Sequence, residues 1–245
     1  MYILQKGAEE FGINISDEQL SAFKLYSSEL TIWNNITNLT AIRDEPDVEK
    51  KHFLDSISIV PIISDLITRD KTISVIDVGS GAGFPGLPLK ILFPHINLSL
   101  VESNGKKVSF LNHICDRLGF DDVRIHNERA ELLAHNKYIR ETFDLILARA
   151  VGNLTMLSEI TLPFCIVGGK VVLHKGPNIS TEVEDSMYSI GLMGGMMSNV
   201  AQVALPDLNL NGTIVVIDKI ESSPAEYPRR PGIPHKKPLR HPKNF

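Results

Sequence analysis

The segment VIDVGSGAGFPG at residues 75–86 restricts the fold of this chain more than any other stretch. Its apolar start has the composition of a buried strand, and four glycines follow within eight positions. Glycine adopts positive φ without strain and carries no side chain to block the backbone, so such a turn can bring main-chain amides close to a ligand. The segment predicts the first strand of an α/β sheet, followed by a ligand-binding turn.

Strand-like and helix-like segments alternate along the rest of the chain. Parallel neighbours need long crossover connections, so this alternation predicts a doubly wound, mainly parallel sheet with helices on both faces. A length of 245 residues suits one main α/β domain. The predicted strands lie at 73–77, 97–102, 122–126, 143–148, 170–174 and 213–218.

Two helices are predicted before the first strand. Ser16 and Gln19 have the spacing of a capping box, and helical periodicity continues from there to residue 35. A second helix is expected over 46–67. We therefore divide the chain into three parts, which are a small helical N-terminal region (1–67), an α/β domain (68–223) and a C-terminal tail (224–245).

Charge is distributed unevenly between the tail and the rest of the chain. The tail alone carries +5, which leaves −9 for the remainder of a chain whose formal net charge is −4. Prolines separate the tail's cations, a composition that favours an extended strip able to follow a phosphate backbone. A terminus charged only for solubility and a segment packed on the domain stay open as alternatives. The cations are Arg229, Arg230, Lys236, Lys237, Arg240 and Lys243.

Composition argues against several other classes of protein. No apolar run of about 18 residues is present, and acids interrupt the N-terminal segment, so we expect a soluble, cytoplasmic protein without a membrane span or signal peptide. Cys115 and Cys165 are too far apart for a CxxC metal site and too few for a disulfide framework. His52 and His174 lack further ligands at helical or hairpin spacing, so no metal site is expected.

Glu102 ends the second predicted strand, 23 residues after Gly79. An acid at this place accepts hydrogen bonds from the hydroxyls of an adenosine ribose. NAD and S-adenosylmethionine both carry such a ribose, and residues 81–86 satisfy the G-x-G-x-x-G pattern of dinucleotide sites. The ribose acid alone therefore leaves both cofactors possible.

Asp77 favours S-adenosylmethionine over NAD. A carboxylate two residues before the first glycine repels a pyrophosphate, but it can orient the loop or accept from the ammonium group of an amino acid. Phe84 and Pro85 also interrupt the turn where a dinucleotide site presents free amides to phosphate. These residues predict S-adenosylmethionine as the cofactor.

Several motifs occur in a fixed order along the chain. Together they resemble the RsmG family, also called glucose-inhibited division protein B, whose members are 16S ribosomal RNA guanine-N(7) methyltransferases. The resemblance implies a fold of the class I S-adenosylmethionine-dependent methyltransferase type, with 16S rRNA or a small ribosomal subunit particle as partner. The motifs are NLTAIRD (38–44), KHFLDSI (51–57), DVGSGAGFPGLPLKI (77–91), ESNGKKVSFL (102–111), ERAE (128–131), ARAV (148–151), HKG (174–176) and YPRRPGIPHKKPL (227–239).

The resemblance also implies site residues. Gly79 and Phe84 belong to the cofactor loop, Glu102 lies at the ribose where many relatives have aspartate, and Ala130 and Glu131 flank the adenine. Adding the residues argued from the turn itself gives a candidate cofactor site of Asp77, Gly79, Gly81, Phe84, Glu102, Ala130, Glu131 and Arg149.

Arg149 follows the fourth predicted strand and is the candidate catalytic residue, positioning substrate or cofactor. Lys175 is expected to face the same crevice and to contact RNA phosphate, together with Arg229, Arg230, Lys236 and Lys237. The side chains of NLT and HFLDS are expected to form a polar edge over the cofactor mouth, where a structural role and substrate contact stay open. These are Asn38, Thr40, His52, Asp55 and Ser56.

The acceptor nitrogen in the guanine imidazole ring has a free lone pair, so the predicted reaction requires alignment and no general base. Two features agree with this acceptor. No Asn/Asp-Pro-Pro-aromatic tetrad for amine methylation follows the fourth strand, and Cys165 lacks the Pro-Cys setting of pyrimidine-carbon methylation. A non-catalytic RNA-binding or ribosome-assembly factor on the same fold stays the alternative.

Overall fold

A computed structural model describes residues 1–67, 72–149 and 152–241. Their core is a seven-stranded sheet of order β3-β2-β1-β4-β5-β7-β6. The first five strands run parallel, and β7 is antiparallel to β5 and to β6. This architecture confirms the predicted doubly wound, mainly parallel sheet. The strands are β1 (Ser74–Val78), β2 (Asn97–Val101), β3 (Arg124–His126), β4 (Phe143–Arg149), β5 (Cys165–Lys175), β6 (Gly195–Leu205) and β7 (Leu210–Lys219).

The helices cover both faces of this sheet. Successive side chains of a strand point to opposite faces, so Val75 and Ile76 of β1 belong to two different apolar clusters. The first cluster contains the N-terminal helices, α6 and α7, and the second contains α8, α9 and α10. The α-helices are α1 (Tyr2–Glu10), α2 (Asp17–Thr37), α3 (Glu45–Val48), α4 (Asp55–Ile57), α5 (Val60–Ile63), α6 (Gly86–Leu92), α7 (Gly105–Leu118), α8 (Ala130–Leu133), α9 (Leu154–Thr161), α10 (Ser180–Leu192) and α11 (Ile233–Lys236).

The capping box predicted for the first long helix is present at the start of α2. The Ser16 side chain accepts from the Gln19 amide, and the Gln19 side chain accepts from the Ser16 amide. The Gln19 side-chain amide also donates to the carbonyls of Ile91 and Leu92 at the end of α6. One residue therefore begins α2 and attaches it to the α/β domain.

The prediction of one continuous helix over 46–67 is wrong. The chain instead forms α3, a π-helical turn (Glu49–Leu54), α4 and α5. Pro61 has no amide hydrogen to continue the preceding helix and occupies a first-turn position of α5. The π-helical turn contains His52 and ends directly before Asp55, and both residues belong to the candidate site.

Strand β6 and helix α1 were not predicted. Residues of β6 are exposed along much of its length because it forms the edge of the sheet, so its sequence lacks the alternation of a half-buried strand. The strand is held by its pairing with β7, which no local pattern reveals.

The C-terminal tail packs on the α/β domain over residues 224–241, which corrects the expectation of an extended strip. The Arg140 guanidinium donates to the carbonyls of Ser223, Pro224 and Tyr227. The His135 ring bonds the Pro228 carbonyl at 2.7 Å. Hydrogen-bonding side chains of the domain thus offset the low helix and strand propensity of the tail. Pro242 and Lys243 of the predicted strip, and Ala150 and Val151 of ARAV, lie outside the described residues.

Candidate active site

The glycine turn follows β1 and folds back against the end of β2. Gly79 and Gly81 have φ values of 75° and 60°, which a residue with a side chain rarely adopts. The amides of Gly79 and Ser80 donate to the carbonyl of Val101 at 2.9 and 3.0 Å. The Gly81 amide donates to the Glu102 carboxylate at 3.1 Å. The turn therefore lies beside the acid predicted at the ribose.

Three further amides around the turn donate to acceptors of the protein itself. The amides of Gly83 and Phe84 donate to the Ser80 carbonyl, and the Gly86 amide at the start of α6 donates to Asp77 at 2.9 Å. A dinucleotide site would leave such amides free for the pyrophosphate. This hydrogen bonding favours a cofactor without phosphate.

Asp77 is completely buried beneath the turn. Its bond to the Gly86 amide makes it a residue that orients the loop, which is one of the two roles that its position in the sequence allowed. Burial raises its pKa to about 7, and its second carboxylate oxygen has no hydrogen-bond partner among the described residues. A Cβ at position 86 would approach this carboxylate to 2.9 Å, so Gly86 is needed for the close contact.

Glu102 lies between two cavities, of about 270 and 340 Å³, and lines both of them. Its two carboxylate oxygens accept from the amides of Gly81 and Asn104 at 3.1 and 2.7 Å. Each carboxylate oxygen has a further lone pair, so Glu102 can accept additional hydrogen bonds from a ligand. We call these spaces the first cavity and the second cavity.

Ala130 and Glu131 begin α8 and line the first cavity. The Glu131 carboxylate accepts from Arg129 at 3.1 Å and from the backbone amide of Gly232 in the tail at 3.0 Å. Burial acts to raise the pKa of Glu131, but the bonds from Gly232, from its own backbone amide and from Arg129 hold that pKa below the usual range. The acid expected to flank the adenine is therefore also a support for the C-terminal tail.

Phe84 lines the second cavity and packs between two rings of the N-terminal region. Its ring stacks on Tyr26 at 5.2 Å and on His52 at 4.5 Å between centroids. The Tyr26 hydroxyl donates to the Ala82 carbonyl within the glycine turn. The helical N-terminal region thus forms one wall of the second cavity.

Arg149 ends β4 at the mouth of the second cavity. Its guanidinium donates to the Asp55 carboxylate at 2.9 Å and to the Lys51 carbonyl at 2.8 Å. It also lies 5.1 Å from the Phe84 ring centroid. The structure therefore brings Arg149 together with the HFLDS motif, and its fixed guanidinium lies between the second cavity and a third one of about 460 Å³.

His52 connects Arg149 to the NLT motif. Its Nδ1 is 3.0 Å from the Arg149 guanidinium, which can only donate, so Nδ1 accepts and the proton lies on Nε2. Nε2 then donates to Thr40 Oγ1 at 2.9 Å. Burial, with the Arg149 charge beside it, lowers the pKa of His52 to about 3. The ring is neutral near pH 7, and both nitrogens are engaged.

Lys175 lines the third cavity but already has partners. Its ammonium group pairs with Glu182 at 2.7 Å and donates to the Gly152 carbonyl at 2.6 Å. His174 is buried beside it and bonds the Asp55 carbonyl at 3.0 Å. Lys175 therefore lies beside the third cavity, but it is neither a solvated lysine nor a free phosphate ligand.

The tail cations divide into two groups. Arg229 forms a bidentate pair with the fully buried carboxylate of Glu159, with distances of 2.6 and 2.8 Å. Arg230, Lys236, Lys237 and Arg240 are exposed. The structure separates Arg229, which holds the tail in place, from these four residues, which face solvent.

Several contributing residues escaped the sequence reasoning. Tyr26 fits the helical pattern of α2, but a buried aromatic residue in a helix usually indicates only packing. The role of Glu159 could have been predicted, because a single acid within the apolar helix LTMLSEIT needs a partner when it is buried. No local sequence pattern predicts that His235 lines the first cavity.

Comparisons with known proteins agree with this geometry. The family model described as rRNA small subunit methyltransferase G matches residues 19–211. The chain belongs to this family. It is 42% identical over 237 residues to the ribosomal RNA small subunit methyltransferase G of Acetivibrio thermocellus, covering 97% of this chain and 96% of the relative. The protein of that name from Dehalococcoides mccartyi is 45% identical over 233 residues, covering 95% of this chain and 97% of the relative.

Solved structures resemble the fold. TrmN from Thermus thermophilus aligns with a TM-score of 0.51 at 16% identity, over 70% of this chain and 53% of that one. Among the described residues, no helix is long and apolar enough to cross a bilayer. No group of three or more His, Cys, Asp or Glu side chains in that part of the chain could hold a metal ion.

Proposed function

We propose that the protein transfers the methyl group of S-adenosylmethionine to N7 of a guanine in 16S ribosomal RNA, acting in the cytoplasm. One observation carries the proposal. Two adjacent cavities share Glu102 and the glycine turn, and the second has the fixed Arg149 guanidinium at its mouth. Most amides of the turn donate within the protein and are not free for a phosphate, which favours a sulfonium cofactor over a dinucleotide.

The residues around the two cavities fit this cofactor. Glu102 retains lone pairs for the ribose hydroxyls, and the first cavity presents Val101, Ala130, Met156 and Ile160 to the faces of a purine. When bound, S-adenosylmethionine supplies an electrophilic methyl group on a positively charged sulfur. The residues of this chain bind and orient it, and they hold Arg149 beside the place where the acceptor base enters.

The residues near Arg149 also match an acceptor that needs no base. His52 is neutral, and both its nitrogens are engaged with Arg149 and Thr40, so it is not available to remove a proton. Cys165 begins β5 opposite Phe143, whereas His174 near the other end of β5 lies opposite Arg149. Phe143 and Arg149 are separated by the length of β4, so at about 3.3 Å per residue the thiol lies roughly 20 Å from the Arg149 end of the sheet, which argues against a covalent mechanism through this thiol.

The alternative is an RNA-binding or assembly factor without activity. Calorimetric titration with S-adenosylhomocysteine and with NAD separates the two, because only the enzyme should bind the first, and neither should bind the second. Gly79→Val should abolish binding by straining the turn. Gly12→Val is the matched control, because Gly12 also has positive φ, of 71°, but lies in an open position.

Methylation itself is tested on small-subunit particles from a strain that lacks the modification. Nucleoside mass spectrometry should show 7-methylguanosine in 16S rRNA after incubation with protein and S-adenosylmethionine. Cys165→Ser should leave turnover nearly unchanged. Binding of S-adenosylhomocysteine without any methylated nucleoside would contradict the proposed acceptor and leave the proposed cofactor standing.

We further propose that the exposed tail cations bind rRNA phosphate. Replacing Arg230, Lys236, Lys237 and Arg240 by glutamine should weaken binding to 16S rRNA and reduce the slope of log K against log salt by about 0.7–0.9 for each lost phosphate contact. These side chains are exposed, so the tail can stay packed. An unchanged affinity and salt slope would contradict this role.

A further inference from the structure

The C-terminal tail reaches the first cavity from outside the family model, which ends at residue 211. Two buried acids of the domain hold it there. Glu159 of α9 pairs with the Arg229 guanidinium and also accepts from the Arg229 amide at 2.8 Å. Glu131 of α8 accepts from the Gly232 amide at 3.0 Å. Both contacts lie within a few residues of His235 along the tail.

These contacts place His235 on the wall of the first cavity. The opposite walls are the ends of β1 and β2, with Val78 and Val101, and the sides of α8 and α9, with Ala130 and Met156. His235 supplies a flat ring beside the apolar side chains of this cavity. The rest of the lining is polar and includes Glu102, Ser103, Glu128, Arg129 and Glu131. His235 is itself exposed, so its ring borders the cavity on the solvent side.

The two cavities have different chemistry, and this difference fixes which end of the cofactor each one takes. The second cavity contains Arg149, Lys107 and the glycine turn, so the reacting end belongs there. Glu102, shared by both cavities, is the ribose position. The purine then extends from the ribose into the first cavity, where apolar side chains suit its faces and polar side chains suit its edge.

We propose that the C-terminal tail completes the cofactor site, with the His235 ring packed against the adenine of bound S-adenosylmethionine. This inference rests on the proposed function. The tail thus has two surfaces with different tasks. Its inner side, through His235 and the Gly232–Glu131 bond, closes the adenine pocket, and its outer side presents the exposed cations.

The test measures binding of S-adenosylhomocysteine to the full-length chain by titration calorimetry. His235→Ala should weaken binding by about three- to tenfold, the range expected from loss of one ring contact. His235→Phe keeps a flat ring and should restore most of the affinity. Lys236→Ala, at the adjacent exposed position, is the matched control and should bind like the wild type.

A second ligand identifies the contacted group. 5′-Methylthioadenosine carries the adenine and ribose without the amino-acid end, so His235→Ala should weaken its binding by the same factor. If His235→Ala weakens binding of S-adenosylhomocysteine but not of 5′-methylthioadenosine, His235 lies at the amino-acid end of the cofactor and the proposal is overturned. Unfolding midpoints of the unliganded variants should equal that of the wild type, and a large drop for His235→Ala alone would indicate a structural role instead.

The possible failures are distinguishable. If the wild type binds S-adenosylhomocysteine and His235→Ala binds it equally well, the tail inference is wrong and the proposed function stands. If the wild type binds no S-adenosylhomocysteine, the proposed function itself is wrong. Equal weakening by His235→Ala and Lys236→Ala would show a general effect of the tail and contradict a ring contact at position 235.

Discussion

The guanidinium of Arg149 has acceptors on several sides, and they come from one short helical segment. Asp55, the Lys51 carbonyl and His52 Nδ1 all lie within 3.0 Å of it. A planar group with several fixed donors can satisfy these acceptors together, whereas an ammonium group is a point charge. The choice of arginine therefore fixes the position of the charge as well as its sign.

Arg149→Lys should lower kcat/KM for small-subunit particles by about 100-fold, the cost of a misplaced positioning group. Single-turnover methylation assays would measure this loss. Arg124→Lys, at an exposed position of β3, is the control and should react like the wild type. Wild-type turnover by Arg149→Lys would show that charge alone is sufficient at this position.

Asp77 should make the stability of the unliganded protein depend on pH. Its pKa is raised from 3.8 to about 7 by burial, so between these values the folded state keeps a proton that the unfolded chain releases. The free energy of unfolding therefore falls as pH rises through this window. Asn at this position can still accept from the Gly86 amide, but it does not titrate.

Urea unfolding of wild type and Asp77→Asn at pH 5 and pH 8 would test this. The stability of Asp77→Asn relative to wild type should increase by on the order of 2 kcal/mol from the lower to the higher pH. Comparing two pH values cancels any pH-independent cost of the substitution. Asp65→Asn, at an exposed position, should show no such change. A constant difference between Asp77→Asn and wild type would contradict a raised pKa.

At the scale of elements, the attachment of α2 to α6 depends on Gln19. The residue closes the capping box of α2 and also donates to the last carbonyls of α6, which would otherwise lack partners within their own helix. The same α2 carries Tyr26 to the glycine turn. The cap fixes where α2 begins, and α2 in turn places Tyr26 against the glycine turn and Phe84 beside the second cavity.

Ser16→Ala should lower the free energy of unfolding by about 1 kcal/mol, the usual cost of a lost N-cap. Gln19→Ala should lower the free energy of unfolding by about 1 kcal/mol more than Ser16→Ala does, because the two α6 carbonyls also lose a donor. Chemical denaturation measures both values, with Ser28→Ala on the exposed side of α2 as control. Equal costs for Ser16→Ala and Gln19→Ala would show that the contact with α6 contributes nothing.

At the scale of the whole molecule, buried acids on the domain determine where the tail lies. Glu159 is completely buried, and its charge is compensated by Arg229 from 70 residues further along the chain. Removing one partner of a buried pair leaves an uncompensated charge. A buried ion pair therefore fixes the tail to the α/β domain.

Arg229→Ala should lower the free energy of unfolding by about 3 kcal/mol because it leaves Glu159 unpaired. Arg230→Ala removes the same charge from the neighbouring exposed position and should change it by less than about 0.5 kcal/mol. The two variants form a matched pair, and thermal and urea unfolding measure the stability of each. Similar, small effects of both would mean that the tail is held by other contacts.

The sequence by itself determined the parallel sheet, the glycine turn, the capping box and the family, because each depends on short patterns. Adjacent residues share one local conformation, and periodicity follows directly from strand or helix geometry. Asp77, Gly79, Gly81 and Glu102 were placed together for the same reason. The turn and the end of the neighbouring strand meet at one edge of any such sheet.

Only the tertiary structure decided what holds Arg149 and where the tail lies. The Arg149–Asp55 and Arg229–Glu159 contacts join residues 94 and 70 positions apart, and no local pattern encodes such pairs. Composition predicted an extended tail because prolines and like charges disfavour regular structure. Burial of two carboxylates outweighed that tendency, because a buried charge is stable only when another part of the chain supplies its partner.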